Sequence, residues 1–127
     1  MNGSGIRILV VDDFAAMRRI IRTILKRLGY TEIEEAEEGR SALEKLRTRD
    51  FNLVIADWNM PGMDGLELLK AIRSDRELKD LPFLMITAEA KKNNILEAVR
   101  AGVTNYIVKP FTEDLLSKKL REIFQTE

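Results

Sequence analysis

The residues of this chain that could do chemistry stand where apolar runs end. Residues 53–56 are four consecutive apolar residues that read as a buried strand. Asp57 follows them, and Pro61-Gly62-Met63-Asp64-Gly65 turns the chain before the next helical pattern. Asp12 and Asp13 follow the run that ends at Val11, Thr87 closes the run that begins at Phe83, and Lys109 comes directly after residues 106–108. In a parallel sheet such strand ends share one rim, at the crevice where open α/β sheets bind ligands, so residues distant in sequence converge there. Three carboxylates in one pocket repel one another and drive a pKa up unless a cation neutralises them. Mg²⁺ suits such a site, since it takes one or two carboxylates with phosphate oxygens and keeps several waters. Asp12, Asp13 and Asp57 are therefore the candidate metal ligands. The pocket would set an Asp57 oxygen for in-line attack on phosphorus, with the metal and Lys109 holding the equatorial oxygens, and the product would be an aspartyl phosphate.

Each residue also has an ordinary reading. Asp12 or Asp13 alone could cap the first helix, Asp57 and Asp64 could start turns, and Thr87 and Tyr106 could be structural. Independent turn roles rarely leave three Asp, a Thr and a Lys on one rim, so the joint functional reading outweighs the separate bland ones.

The elements that must position these residues follow from hydrophobic period. Strands are expected at residues 6–11, 32–36, 52–56, 83–87 and 106–108. The first helix should turn Met17, Ile20, Ile21, Ile24, Leu25 and Leu28 to one face and close at Gly29. The second should bury Ala42, Leu43 and Leu46. The third should bury Leu66, Leu69 and Ile72 behind an Asp64 N-cap, and the fourth carries Ile95, Leu96 and Val99 up to Gly102. Leu116, Leu120, Ile123 and Phe124 line the last. The leucines and isoleucines of the helices read as core. Alternating strands and helices predict an α/β fold, a doubly wound five-stranded parallel sheet with right-handed crossovers. The apolar first, third and fourth strands belong inside, while the polar second and the short fifth belong at the edges, which is the order 2-1-3-4-5. That order is already familiar from flavodoxin-like (βα)5 proteins. Residues 1–127 read as one domain, and residues 1–5 as a flexible lead-in.

Composition removes several chemistries. The chain has no Cys and no His, so it holds no disulfide, no thiolate or imidazole metal site, no Ser-His triad and no phosphohistidine of its own. An oxygen-only site also disfavours zinc and copper. Lys+Arg and Asp+Glu both number 21, which gives no general electrostatic reason to bind nucleic acid or an anionic membrane. Charge is uneven locally, since Arg18, Arg19, Arg22, Lys26 and Arg27 precede Glu32, Glu34, Glu35, Glu37 and Glu38. A solvated helix face followed by a polar edge strand and a docking surface for a charged partner are both open. No signal peptide or membrane-length apolar run is evident, so a cytoplasmic, monomeric protein is expected.

Together the motifs resemble those of the receiver domains of two-component response regulators. They are Val10-Val11-Asp12-Asp13, Asp57 with Met60-Pro61 and Met63-Asp64-Gly65, Thr87-Ala88, and Lys109-Pro110-Phe111. Asp13-Phe14, Met17-Arg18-Arg19, Asp57-Trp58-Asn59-Met60-Pro61 and Thr87-Ala88-Glu89-Ala90-Lys91-Lys92 are similar to the chemotaxis members of that family. The resemblance implies that Asp57 is the phosphoacceptor, that Asp13, Asp57 and the Asn59 carbonyl bind Mg²⁺, and that Asp12 holds the ion through water. It implies that Lys109 contacts the acyl phosphate, that Thr87 bonds a phosphoryl oxygen, and that Tyr106 swings inward as Thr87 moves. It implies a cis Lys109-Pro110 peptide as well. The implied donor is a chemotaxis histidine kinase, and the implied target is a flagellar motor switch protein. That target would be bound through a face including Ala90, Lys92, Ile95, Tyr106 and Lys119. A dedicated phosphatase is a further implied partner, and Asn59 and Glu89 occupy positions where the family tunes hydrolysis. The chain would be a signalling switch that catalyses its own phosphorylation and dephosphorylation.

Other functions of this fold fit less well. A haloacid-dehalogenase-like phosphohydrolase resembles Asp-x-Asp on the first strand, where this chain has Asp12-Asp13-Phe14, and no cap domain is evident. A flavin or nucleotide module would cradle phosphate on Gly- or Ser/Thr-rich turns, and a diacidic turn repels it. A docking-only receiver does not need the complete set Asp12, Asp13, Asp57, Thr87 and Lys109. With no output domain evident, action by protein binding is expected, either at the motor or as a phosphate sink. Trp58, the single tryptophan, is expected to be partly exposed beside Asp57.

Overall fold

The computed structural model describes residues 3–125. Five strands and five helices alternate: β1 (Gly3–Val11), α1 (Ala15–Arg27), β2 (Tyr30–Ala36), α2 (Gly39–Thr48), β3 (Leu53–Ala56), α3 (Gly65–Ser74), β4 (Phe83–Thr87), α4 (Lys92–Ala101), β5 (Asn105–Val108) and α5 (Glu113–Phe124). All strand pairs are parallel and the order is β2-β1-β3-β4-β5, as the strand polarity predicts.

Side chains alternate across a strand, and the two faces of the sheet carry two cores. Leu9, Val11, Val54, Ala56, Phe83 and Met85 face α2, α3 and α4. Ile8, Val10, Leu53, Ile55, Leu84 and Ile86 face α1 and α5. Residues of β3 and β4 are buried on both faces, which explains their continuous apolar sequence. The helix ends that flank the candidate site are fixed locally. Asp64 caps α3 through a capping box in which its carboxylate accepts from Glu67 N–H at 2.8 Å and Glu67 accepts from Asp64 N–H at 2.9 Å. Glu38 caps α2, accepting from the amides of Arg40 and Ser41.

Some expectations need correction. Gly3 to Gly5 are not a lead-in but the start of β1, where Gly3 pairs with Tyr30 and the register shifts before Arg7; residues 1 and 2 lie outside the described residues. β2 begins at Tyr30, two residues early, because its backbone pairing to β1 extends past its apolar residues. Ile20 is exposed, since Ile21, Ile24 and Leu25, with Met17 and Leu28, already fill the sheet-facing arc of α1. α4 approaches the sheet through the small Ala98, which leaves Leu96 and Val99 exposed and Ile95 half-buried. Trp58 is buried among the residues facing α2 and α3, not partly exposed. The strand period continues past the end of β3, so Val54, Ala56 and Trp58 point the same way.

Candidate functional site

Asp12 and Asp57 lie just past β1 and β3, two neighbouring strands in the middle of the sheet, and backbone bonds extend the pairing of β3 with β1 and of β1 with β2 to these residues. Asp57 N–H donates to Val11 O at 3.0 Å and Asp12 N–H to Ala36 O at 3.2 Å. One carboxylate oxygen from each of Asp12, Asp13 and Asp57 lies within 4.8 Å of the others. Asp12 and Asp57 are buried and Asp13 is exposed, so the cluster opens to solvent on one side. Lys109 reaches in from the end of β5, with its Nζ 3.3 Å from Asp12 Oδ2 and 3.6 Å from Asp57 Oδ2. The Lys109-Pro110 peptide is cis.

Local bonds hold these carboxylates in place. Asp12 Oδ1 accepts from Phe14 N–H at 2.9 Å, which bends residues 12–14 into a turn rather than capping α1. Asp57 Oδ1 accepts from Trp58 N–H at 2.8 Å. The loop from Trp58 to Asp64 is closed by Gly65 N–H, which donates to Trp58 O at 2.8 Å. Burial raises the Asp57 pKa above the ordinary carboxylate value, and the negative charge of Asp12 adds to this. Lys109, Thr87 and the Trp58 amide act in the opposite sense without cancelling it. A carboxylate left costly to ionise in this way is one that a bound cation relieves.

Thr87 is fully buried, and its Oγ1 accepts from Glu89 N–H at 3.3 Å. Glu89 collects several other bonds. Its carboxylate accepts from Asn59 Nδ2 at 2.7 Å and Asn94 Nδ2 at 2.9 Å, and its carbonyl accepts from the Tyr106 hydroxyl at 2.6 Å. The Tyr106 pKa is pushed up to about 12, by burial first and then by the negative charges of Glu89 and Asp57.

A model of the response regulator receiver domain matches residues 8–121. The chain belongs to the response regulator receiver family. Among its relatives are chemotaxis protein CheY-3 of Vibrio cholerae, 56% identical over 95% of this chain and 93% of that protein, and chemotaxis protein CheY of Pseudomonas aeruginosa, 52% identical over 94% and 96%. The solved structure of Vibrio cholerae CheY4 superposes with a TM-score of 0.87 at 37% identity, covering 94% of this chain and 98% of that one. The flavodoxin-like architecture is thus the receiver fold.

Within that fold, Asp12, Asp13, Asp57, Thr87 and Lys109 gather at one end of the sheet. Asn59 stands on the loop after β3, exposed, with its side chain turned to Glu89. Ala90 precedes α4, Lys92 and Ile95 lie on α4, Lys119 on α5 and Tyr106 on β5, where Tyr106 still feels the Asp57 charge. Ala90 and Lys92 are exposed and the other three half-buried. Much of the charged sequence after α1 is engaged within the chain. Glu35 pairs with Arg18 at 2.9 Å and Arg22 at 3.0 Å, Glu32 with Arg7 at 3.1 Å, and Glu34 with Arg49 at 2.8 Å. This favours a self-paired face over a docking surface for a charged partner. The bonds of Asn94 to Glu89 and of Arg18 to Asp12 O and Glu35 exist only in the folded chain. Hydrogen bonds from such side chains leave no periodic signal, although Asp64-x-x-Glu67 was a readable capping box.

No helix among the described residues is long and apolar enough to cross a membrane.

Proposed function

We propose that this chain is a single-domain chemotaxis response regulator that accepts a phosphoryl group on Asp57 in a Mg²⁺-dependent reaction. The observation that carries the reading is the cluster of Asp12, Asp13 and Asp57 oxygens within 4.8 Å, with the Lys109 ammonium against two of them. The all-oxygen donor set, one carboxylate of it open to solvent, fits a hard cation such as Mg²⁺. Asp13, Asp57 and the Asn59 carbonyl would hold the ion directly and Asp12 through water. When bound, it supplies charge neutralisation for the carboxylates and for the phosphoryl oxygens. An Asp57 oxygen forms a bond to phosphorus as the bond from phosphorus to the donor imidazole breaks. Lys109 holds the charge of the acyl phosphate, and the Thr87 hydroxyl bonds a phosphoryl oxygen. Hydrolysis returns Asp57 and inorganic phosphate when water attacks phosphorus and the carboxylate leaves, so the switch resets itself.

Phosphorylation would draw Thr87 toward the phosphoryl group and shift the population in which Tyr106 is turned inward. The surface changed in this way includes Ala90, Lys92, Ile95, Tyr106 and Lys119, and it would bind the flagellar motor switch protein. The chemotaxis names of the three relatives given above support a role in chemotaxis, the setting in which such a target is met. The donor is a chemotaxis histidine kinase in the cytoplasm, a dedicated phosphatase is a further partner, and the switch acts as a monomer without nucleic acid or membrane.

The test is phosphotransfer from a purified, radiolabelled chemotaxis kinase, followed by binding to a motor switch protein. Transfer to the wild type and not to Asp57→Asn, with tighter switch binding by the phosphorylated form, is expected. Transfer to Asp57→Asn would sink the assignment of the phosphoacceptor, and equal binding of both forms would sink that of the target.

A further inference from the structure

Arg18 sits on the second turn of α1 and turns back toward the acidic turn rather than out to solvent. Its side chain is 13% exposed, a low value for an arginine on a surface helix. One arm of the guanidinium donates to the backbone carbonyl of Asp12 at 2.6 Å, and Nε donates to Glu35 Oε1 at 2.9 Å. Glu35 in turn accepts from Arg22 at 3.0 Å. Burial would raise the Glu35 pKa, but the bonds and charges of Arg18 and Arg22 outweigh this and lower it, so the anchor stays ionised.

The carbonyl that Arg18 holds belongs to the peptide joining Asp12 to Asp13, two of the three clustered carboxylates. On the other side of the turn, Phe14 N–H donates to Asp12 Oδ1 at 2.9 Å. The turn is therefore clamped on both sides while Asp13 itself, among the described residues, makes no hydrogen bond or ion pair. Orientation of Asp13 then rests on the peptide plane that precedes it.

We infer that Arg18 is a positioning residue for the cation site, acting through the Asp12 carbonyl to present the Asp13 carboxylate. This rests on the reading of the cluster as a Mg²⁺ site. A cation placed near three carboxylates would by its charge alone weaken Mg²⁺ binding, so its removal would tighten the site. Positioning has the opposite sign, because groups that orient metal ligands typically account for about tenfold or more in affinity. Lysine keeps the charge but has no planar fork able to serve the carbonyl and Glu35 together.

The experiment is calorimetric titration of the metal-free protein with Mg²⁺, together with the backbone NMR signal of the Asp13 amide, for the wild type, Arg18→Lys, Arg18→Met and Arg22→Met. Arg18→Lys and Arg18→Met are expected to raise the Kd for Mg²⁺ by about tenfold. In both, the Asp13 amide should shift and exchange faster. Arg22→Met removes a partner of the same Glu35 without touching Asp12, and should bind like the wild type. Wild-type affinity in Arg18→Lys, tighter binding in Arg18→Met, or an equal loss in Arg22→Met would overturn the inference. If Arg18→Met does not fold, Arg18→Lys and its Asp13 amide decide. A wild type that takes up no Mg²⁺ overturns the underlying reading instead, and that result is seen before any substitution is made.

Discussion

Replacing Gly65 by alanine should damage both the fold and the acidic pocket, because the space for a side chain is already filled by backbone. A Cβ at this position would collide with the carbonyl oxygen of Asp57 and lie 2.9 Å from its carbonyl carbon and 2.8 Å from the Trp58 Cα. None of these atoms is the end of a flexible side chain, so the loop itself must move. Such overpacking costs about 1 to 3 kcal/mol. The Gly65 N–H bond to Trp58 O, 2.8 Å long, closes the loop and would be strained or lost, adding about 1 kcal/mol. Reduced freedom of the unfolded chain returns about 0.5 kcal/mol. The net loss is about 1.5 to 3.5 kcal/mol, which at roughly 4 °C per kcal/mol lowers Tm by about 6 to 14 °C. Gly62→Ala is the matched control. Its φ is +72° and its nearest neighbour would be Glu38 Oε1 at 3.5 Å, so it pays only the left-handed backbone cost of about 1 to 2 kcal/mol. Thermal melts followed by circular dichroism compare the two, and Mg²⁺ titration of each folded variant reports on the pocket. Gly65→Ala should melt lower than Gly62→Ala and bind Mg²⁺ more weakly. If it melts no lower and binds equally well, the loop is not held as described.

Other perturbations have definite signs. Lys109→Met leaves Asp12 and Asp57 facing each other without a cation, so urea denaturation of the metal-free protein should show a loss of about 3 kcal/mol, partly restored by Mg²⁺. The raised pKa of Asp57 means that its contribution to stability is full below the unfolded aspartate value and is lost as pH rises through the folded one. Metal-free Asp57→Asn should therefore melt above the wild type at neutral pH, with a gap that narrows in acid. A gap that widens in acid contradicts that sign. Both tyrosines have raised pKa values, Tyr30 by burial and Tyr106 up to about 12, so absorbance titration should show no tyrosinate step at the ordinary value of 10 while the protein stays folded.

How far the sequence could be read depended on burial. β3 and β4 are covered on both faces, their apolar runs are continuous, and their observed ends fall within one residue of the sequence reading. β2 lies at an edge, where pairing is made by backbone groups that hydropathy does not register, and its start was misplaced. Ile20, Leu96 and Val99 are apolar residues that the helices leave exposed, which a count of apolar positions cannot foresee. Asp12, Asp13 and Asp57 were legible because each follows an apolar run, and strand geometry does the rest. Trp58 was misjudged because its neighbour Asp57 faces the crevice, whereas adjacent residues on a strand point to opposite sides. Arg18 and Asn94 act through bonds to Asp12 O and Glu89 that depend on the folded path of the chain, and nothing in their spacing announced them.

The most direct test of the account is the intact mass of the protein after incubation with a small-molecule phosphoryl donor such as acetyl phosphate, with Mg²⁺ and with a chelator, for the wild type and Asp57→Asn. The account predicts the addition of one phosphoryl group to the wild type only when Mg²⁺ is present, its decay once the donor is removed, and none on Asp57→Asn. Equal phosphorylation in the chelated sample, or on Asp57→Asn, would contradict it.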